Sequence, residues 1–282
     1  MHPPSADSED RGSPPAGETE PAEGPEPHRA RVMAESFGTD PARYDRTRPR
    51  YPAGLIARIA GEAGGDVLDV GTGTGIVARQ LRAAGCRVLG LDVDARMAAY
   101  ARGHGLDVEV APFEEWDAAG RSFDTVVAGQ TWHWIDPAAG PAKAAGVLRP
   151  GGALAVFWNV SQPAPDVAEA LASAYRDALP GAPLNPWSRT ALNGYSAIVD
   201  KTAAGIRAAG AFGEPEEWRY GWECAYTRDE WLDQLPTGGG MAVLSPAQRT
   251  ALLDATAAAV DGLGGSFTMG YTALAITARL SG

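Results

Sequence analysis

Three stretches of this chain hold residue types whose spacing can do chemistry. The first is Asp69-Val70-Gly71-Thr72-Gly73-Thr74-Gly75, an acid followed by three glycines at alternate positions. Glycines in such a turn let the main chain approach a ligand closely, because no Cβ intervenes. The unpaired N–H groups of the helix that follows favour an anionic group. The second is Asp92, which closes the run Val88-Leu89-Gly90-Leu91. A carboxylate at that place can accept hydrogen bonds from both hydroxyls of a ribose. The third is Gln130-Thr131-Trp132-His133-Trp134-Ile135-Asp136-Pro137, with three aromatic rings, counting the histidine, and an acid. Together they predict a nucleoside-bearing cofactor held beside an aromatic pocket.

The glycine register narrows the cofactor. A dinucleotide fingerprint G-x-G-x-x-G that begins at Gly71 needs glycine at 76, where Ile76 stands. Beginning at Gly73, it puts Ala78 in third place, which is allowed but weaker. The acid-x-Gly-x-Gly-x-Gly pattern instead resembles the S-adenosylmethionine (SAM) loop of the class I methyltransferases. The segment around His133-Trp134-Ile135-Asp136 resembles a small-molecule subgroup related to the Methyltransferase type 11 family. So do Tyr44-Asp45 with Arg48-Pro49-Arg50-Tyr51-Pro52, and Gly264 to Thr272 near the far end. The resemblance covers roughly residues 35–280 and is weakest over 161–210.

That resemblance implies a set of cofactor contacts. Asp69, Gly71, Thr72, Gly73 and Gly75 would form the turn, Asp92 would meet the ribose, and Gln130 would follow the fourth strand. Phe113 and Glu114 would border the adenine. Many relatives have an Asp–small pair where this chain has Pro112-Phe113, so Glu114 is the nearest replacement and the Phe113 N–H serves the ring nitrogen. Tyr44 and Arg48 would close over the cofactor. His133 is either a general base or a pocket-shaping residue. Methyl transfer from a sulfonium is an in-line displacement, for which alignment accomplishes much of the catalysis, while an oxygen nucleophile gains from a base. Asp136 before Pro137 reads first as a helix cap.

These residues need elements to position them. Apolar positions in Pro52–Glu62 give a helical face. Strands are expected at Asp66–Val70, Arg87–Leu91, Val108–Val110, Ser122–Ala128 and Ala153–Trp158. Helices are expected at Gly75–Ala84, Ala95–Arg102 and Ala138–Leu148. This alternation implies parallel strands with crossover helices in a doubly wound sheet. Beyond Asn159 come helices near Val167–Leu179 and Asp200–Ala209, separated by the Pro/Asn-rich 180–196. Strands at Glu217–Tyr226 and Phe267–Leu280 follow, with helices at Arg228–Leu235 and Pro246–Val260 between them. The expectation is an α/β, Rossmann-like, seven-stranded sheet, mostly parallel with an antiparallel last strand. The strand count and the antiparallel end come from the resemblance.

Composition bounds the rest. Of the 282 residues, 45% are hydrophobic, enough for a buried core. Residues 1–30 are rich in proline and acids and poor in large apolar side chains, so they read as a disordered acidic tail. Residues 31–282 read as one domain, with 161–210 as a helical insert over the open end of the sheet. The net charge of −11 and the lack of a basic stripe argue against nucleic acid. No apolar run is long enough to span a membrane, and no secretory signal is evident at the N-terminus, so cytoplasm is expected. The two cysteines read as reduced thiols, and no Cys/His cluster has metal-ligand spacing.

The expected function is methyl transfer from SAM to a small-molecule acceptor. Two alternatives stand beside it: a protein of this fold that binds SAM without transferring methyl, and an NAD(P)-dependent oxidoreductase. The acceptor, its accepting atom and the oligomeric state are not legible.

Overall fold

The computed structural model of the chain describes residues 37–62, 65–182, 185–188 and 194–281. The expected acidic tail at 1–30 lies outside the described residues. The strands are β1 (Asp66–Val70), β2 (Arg87–Asp92), β3 (Asp107–Val110), β4 (Phe123–Gly129), β5 (Leu148–Pro163), β6 (Glu216–Thr227) and β7 (Ser266–Arg279). They form one sheet in the order β3-β2-β1-β4-β5-β7-β6. The first five pair in parallel, whereas β7 runs antiparallel to both β5 and β6. The expected architecture is therefore found, antiparallel last strand included. The chain winds outward from β1 to β3, then returns to β4 and proceeds the other way. That reversal opens a crevice at the carboxyl ends of β1 and β4, where doubly wound sheets bind ligands.

Both faces of the sheet are buried, as parallel sheets require. Successive residues point to opposite faces, so Val67 and Leu68, both fully buried, enter different cores. One face is covered by helices α2 (Ala53–Glu62), α3 (Ile76–Ala83) and α4 (Ala95–Gly103). They contribute Leu55, Ile59, Leu81 and Ala98 to it. The other face takes Ala144 and Val147 from α5 (Ala139–Val147), with Val199 and Ile206 from α7 (Tyr195–Ala208). The short α1 (Pro41–Thr47) is started by Asp40, whose side chain accepts from Arg43 N, with Pro41 at the first helical position.

Some elements depart from the expected bounds. β5 begins at Leu148 rather than Ala153, where it already pairs with Phe123 of β4, and runs on to Pro163 rather than ending at Trp158, because β7 pairs with it through Met269. α7 begins at Tyr195, five residues early, since Ile198 and Val199 already join its apolar face. The segment 161–210 divides between two locations. Its first helix, α6 (Pro165–Ala178), packs with α10 (Pro246–Gly262) around Val167, Leu171, Val260 and Met269. Its second, α7, lies on the sheet face.

Tyr195 of this segment lines the crevice, and a further part of its lining, Gly238 and Gly239, comes from farther along the chain. Between β6 and β7 stand α8 (Arg228–Gln234), a 3₁₀ turn (Leu235–Thr237), α9 (Gly239–Ala242) and α10. Capping boxes start α8 (Thr227 with Glu230) and α10 (Ser245 with Gln248). This stretch, the roof of the crevice, is tied to α1. Arg43 Nε donates to Asp233 Oδ1 at 2.8 Å, and Arg46 Nη2 donates to Asp233 Oδ2 at 2.7 Å. Arg48 Nη2 donates to the Thr237 carbonyl. Among the described residues, no helix is long and apolar enough to cross a membrane.

Candidate active site

A cavity of about 410 Å³ opens at the carboxyl ends of β1, β2 and β4. The glycine turn forms its floor. Gly71, Gly73 and Gly75 all have positive φ, at 66°, 56° and 85°. The turn is pinned to β2, because Gly71 N and Thr72 N both donate to the Leu91 carbonyl, at 2.8 and 3.0 Å. The three glycines have different reasons to be glycine. A Cβ on Gly71 would stand 2.1 Å from the Thr131 side chain, and one on Gly75 would stand 2.2 Å from Leu106 Cδ1. A Cβ on Gly73 would meet no protein atom within 4 Å. Gly73 lines the cavity, so the space it leaves belongs to a ligand.

Asp92 organises the second wall. It is 9% exposed. Its Oδ2 accepts from Gly73 N at 2.7 Å and its Oδ1 from Asp94 N at 2.8 Å. Burial pushes its carboxyl above the ordinary value, against the pull of those two N–H groups. The helix cap falls to the other acid: Asp94 accepts from Arg96 N at 2.8 Å and starts α4. Asp92 is thereby free for the cavity, with lone pairs remaining on both oxygens.

Ten of the twelve residues predicted for the site line the cavity: Tyr44, Arg48, Gly71, Thr72, Gly73, Asp92, Phe113, Glu114, Gln130 and His133. Asp69 and Gly75 do not. Gly75 is spent on packing against Leu106. Asp69 is 1% exposed and sits beneath the turn, where Oδ2 accepts from Thr72 Oγ1 at 2.7 Å and Oδ1 has no partner. Asp69 therefore shapes the turn through Thr72 and does not border the cavity. The predicted cap role of Asp136 has a geometric counterpart, since its Oδ1 accepts from Ala138 N and Ala139 N, each at 2.8 Å. Glu114 Oε1 accepts from Asp136 N at 3.0 Å and ties the loop after β3 to the aromatic segment.

Burial raises the Asp69 carboxyl to about 7, with Asp92's charge adding to the rise and the Thr72 hydroxyl opposing it. The folded state thus holds a proton that the unfolded chain releases near pH 4. The resulting stability is complete below pH 4 and lost as pH rises through about 7. It is of order 4 kcal/mol. The melting temperature of the wild-type protein is expected to fall between pH 5 and pH 8. In Asp69→Asn most of that slope should vanish, and equal slopes would contradict the assignment.

The aromatic segment follows β4. Gln130 takes a positive φ of 56°, uncommon for a side chain of its size. It is held by Gln130 N donating to the Phe157 carbonyl at 2.8 Å and by Nε2 donating to the Asn159 carbonyl at 3.3 Å. Such strain concentrates at functional sites. His133 Nδ1 accepts from Trp158 Nε1 at 3.2 Å. Indole N–H only donates, so the imidazole proton sits on Nε2. Burial lowers the imidazole to about 4, leaving it neutral at physiological pH.

Several lining residues carry no sequence signal of their own. Asn159, Tyr195 and Gly238 come from β5, the start of α7 and the roof between β6 and β7. No local motif marks them, because only the sheet order brings them together. Among the described residues, no cluster of His, Cys, Asp or Glu could hold a metal ion.

The sheet order, the glycine turn and the acid that ends β2 are similar to those of class I, SAM-dependent methyltransferases. Residues 68–156 match the family model described as "Methyltransferase domain". Over 132 residues the chain is 39% identical to an uncharacterised methyltransferase of Mycobacterium tuberculosis, covering 46% of this chain and 54% of that protein. Over 106 residues it is 40% identical to a ubiquinone biosynthesis O-methyltransferase of Aromatoleum aromaticum, covering 34% and 45%. The chain thus spans about half the length of the curated relatives it matches. Among solved structures it resembles one described as a type II methyltransferase of Anaeromyxobacter dehalogenans. That match has a TM-score of 0.62 at 24% identity, covering 83% of this chain and 99% of the other.

The residues present fit SAM. The space above Gly73, the two half-used oxygens of Asp92 and the apolar strip at Val93, Ala111 and Phe113 suit its methionine, ribose and adenine parts in turn.

Proposed function

We propose that this protein transfers a methyl group from SAM to a small-molecule acceptor. The observation that carries the reading is the cavity at the β1/β4 reversal, floored by Gly71–Thr74 and walled by Asp92. Bound SAM supplies an electrophilic methyl on a sulfonium, and the chain's work is then to bind, align and exclude water. Asp92 holds the ribose, while Phe113 and Ala111 cover the base. The roof from α1 and Gly238–Gly239 keeps solvent from the reacting end, and alignment in such a site provides much of the acceleration. A cavity of this size lies within the range of small-molecule sites. The protein should bind SAM in the micromolar range, about −8 kcal/mol, with no heat from NADH. Incubation with methyl-labelled SAM and a small-molecule extract then tests transfer. Tight NADH binding without SAM binding would overturn the reading.

His133 acts as a positioning donor rather than a base. Its Nδ1 lone pair is engaged by Trp158, and its Nε2 carries the proton. In His133→Ala, the acceptor KM should rise about tenfold, the cost of one lost hydrogen bond, with kcat nearly kept. The pH–rate profile should be flat from pH 5.5 to 8 in both proteins, because the imidazole titrates near 4. A thousandfold loss of kcat with a vanished acidic limb would instead mark a general base.

A further inference from the structure

The short helix α1 brings two residues to the cavity wall, Tyr44 within it and Arg48 at its end. The methionine part of SAM bears a carboxylate, and Arg48 is the one Arg or Lys that lines the cavity among the described residues. The placement of α1 therefore decides how that end of the cofactor is held. A helix of seven residues is marginal by itself, so its position rests on its ties to the rest of the fold. On its outer side these run from Arg43 and Arg46 to Asp233, through side chains between 33% and 62% exposed. Water screens such pairs.

The inner tie is of another kind. Asp45, next to Tyr44, is only 9% exposed. Its Oδ1 accepts from Arg79 Nη2, and Arg50 Nη2 donates to its main-chain carbonyl at 3.0 Å. Arg79 belongs to α3 and does not line the cavity. Its other arm, Nη1, donates at 2.6 Å to the carbonyl of Thr74, which lies between Gly73 and Gly75. One guanidinium thus joins the turn that floors the cavity to the helix that walls it. A planar fork can serve two such acceptors at once, where a lysine offers a single point charge. Burial alone would raise the Asp45 carboxyl, but Arg79 and Arg50 hold it below its ordinary value, so it stays charged at neutral pH. The turn keeps its shape by separate ties to β2, from Gly71 N and Thr72 N to the Leu91 carbonyl and from Gly73 N to Asp92.

We propose that Arg79 is a positioning residue for the cofactor: through Asp45 it sets α1 against the glycine turn, and so places Arg48 for the carboxylate of SAM. This rests on the reading of the cavity as a SAM site. Removing either partner strands no charge. Without Arg79, Asp45 keeps Arg50, 3.5 Å away. Without the Asp45 charge, Arg79 keeps the Thr74 carbonyl. Both variants should therefore fold, with α1 free to shift. The loss then falls on one end of the ligand. The ribose stays on Asp92, while the carboxylate loses its aligned cation.

Calorimetry with S-adenosylhomocysteine and with methylthioadenosine tests this, since the second ligand has the adenine and ribose but no carboxylate. In Arg79→Met and in Asp45→Asn, S-adenosylhomocysteine should weaken about tenfold, through one misaligned charge-assisted contact. Methylthioadenosine should stay within about threefold of wild type in both, which also shows that the variants are folded. The double variant should lose no more than Arg79→Met, because the two residues act as one bridge. A merely structural role would loosen both ligands alike. Equal weakening of the two ligands therefore overturns the proposal. Unchanged S-adenosylhomocysteine affinity in the variants also overturns it, as does a double variant in which the two losses multiply. A wild-type protein that binds neither ligand removes the SAM reading and the proposal with it.

Discussion

Gly73→Val is expected to abolish SAM binding while the protein stays folded. Gly73 has a φ of 56°, a conformation that costs a β-branched residue of order 1–3 kcal/mol. The new side chain meets no protein atom at its Cβ, so nothing in the core must move. It enters the cavity above the turn instead, where the cofactor has to lie. The neighbouring glycines supply the contrast. Gly71→Ala and Gly75→Ala drive a Cβ into Thr131 and Leu106, so they should lower the melting temperature as well. Calorimetry with SAM, paired with thermal melts, separates these outcomes. Normal SAM binding by Gly73→Val would show that the turn does not face the ligand.

The contrast also shows what kind of information the sequence holds. Asp69 to Gly75 is legible as a turn because the spacing of its glycines is local. What each glycine does is not legible, because Thr131 and Leu106 arrive from β4's far end and from the residues before β3. Asp69 is instructive in the same way. Its place in the motif suggests a ligand contact, but alternation along β1 turns it beneath the turn, next to Thr72. The strand–helix alternation through Trp158 could be read directly, since each crossover unit has its own periodicity. The roof could not. Arg228–Gly262 reads as two ordinary helices, and its place over the cavity shows in the structure, where Gly238 and Gly239 join the lining, Arg48 donates to the Thr237 carbonyl and Asp233 pairs with Arg43 and Arg46. Long-range ion pairs leave no spacing to detect.

Asp92→Asn is expected to weaken SAM by roughly a hundredfold, nearly as much as Asp92→Ala. Two effects add. The wild-type carboxylate can accept from both ribose hydroxyls, and hydrogen bonds to a charged group contribute about 1.5–3 kcal/mol each. An asparagine keeps one accepting oxygen and loses the charge. The second effect is internal. Both oxygens of Asp92 already accept main-chain N–H groups, from Gly73 and from Asp94. Whichever way the amide turns, its NH₂ group faces one of those donors with no acceptor between them. If it faces Gly73, the turn must shift away from β2, and the glycine that borders the cofactor moves with it. If it faces Asp94, the start of α4 loosens, though Asp94 still caps that helix through Arg96 N. Usually an isosteric amide is the milder change, and here the two backbone donors remove that advantage. Titrations of SAM and of methylthioadenosine into both variants should lose affinity in parallel, since both ligands carry the ribose. An Asp92→Asn protein that binds SAM within threefold of wild type would place the ribose elsewhere and leave Asp92 as a brace of the glycine turn alone.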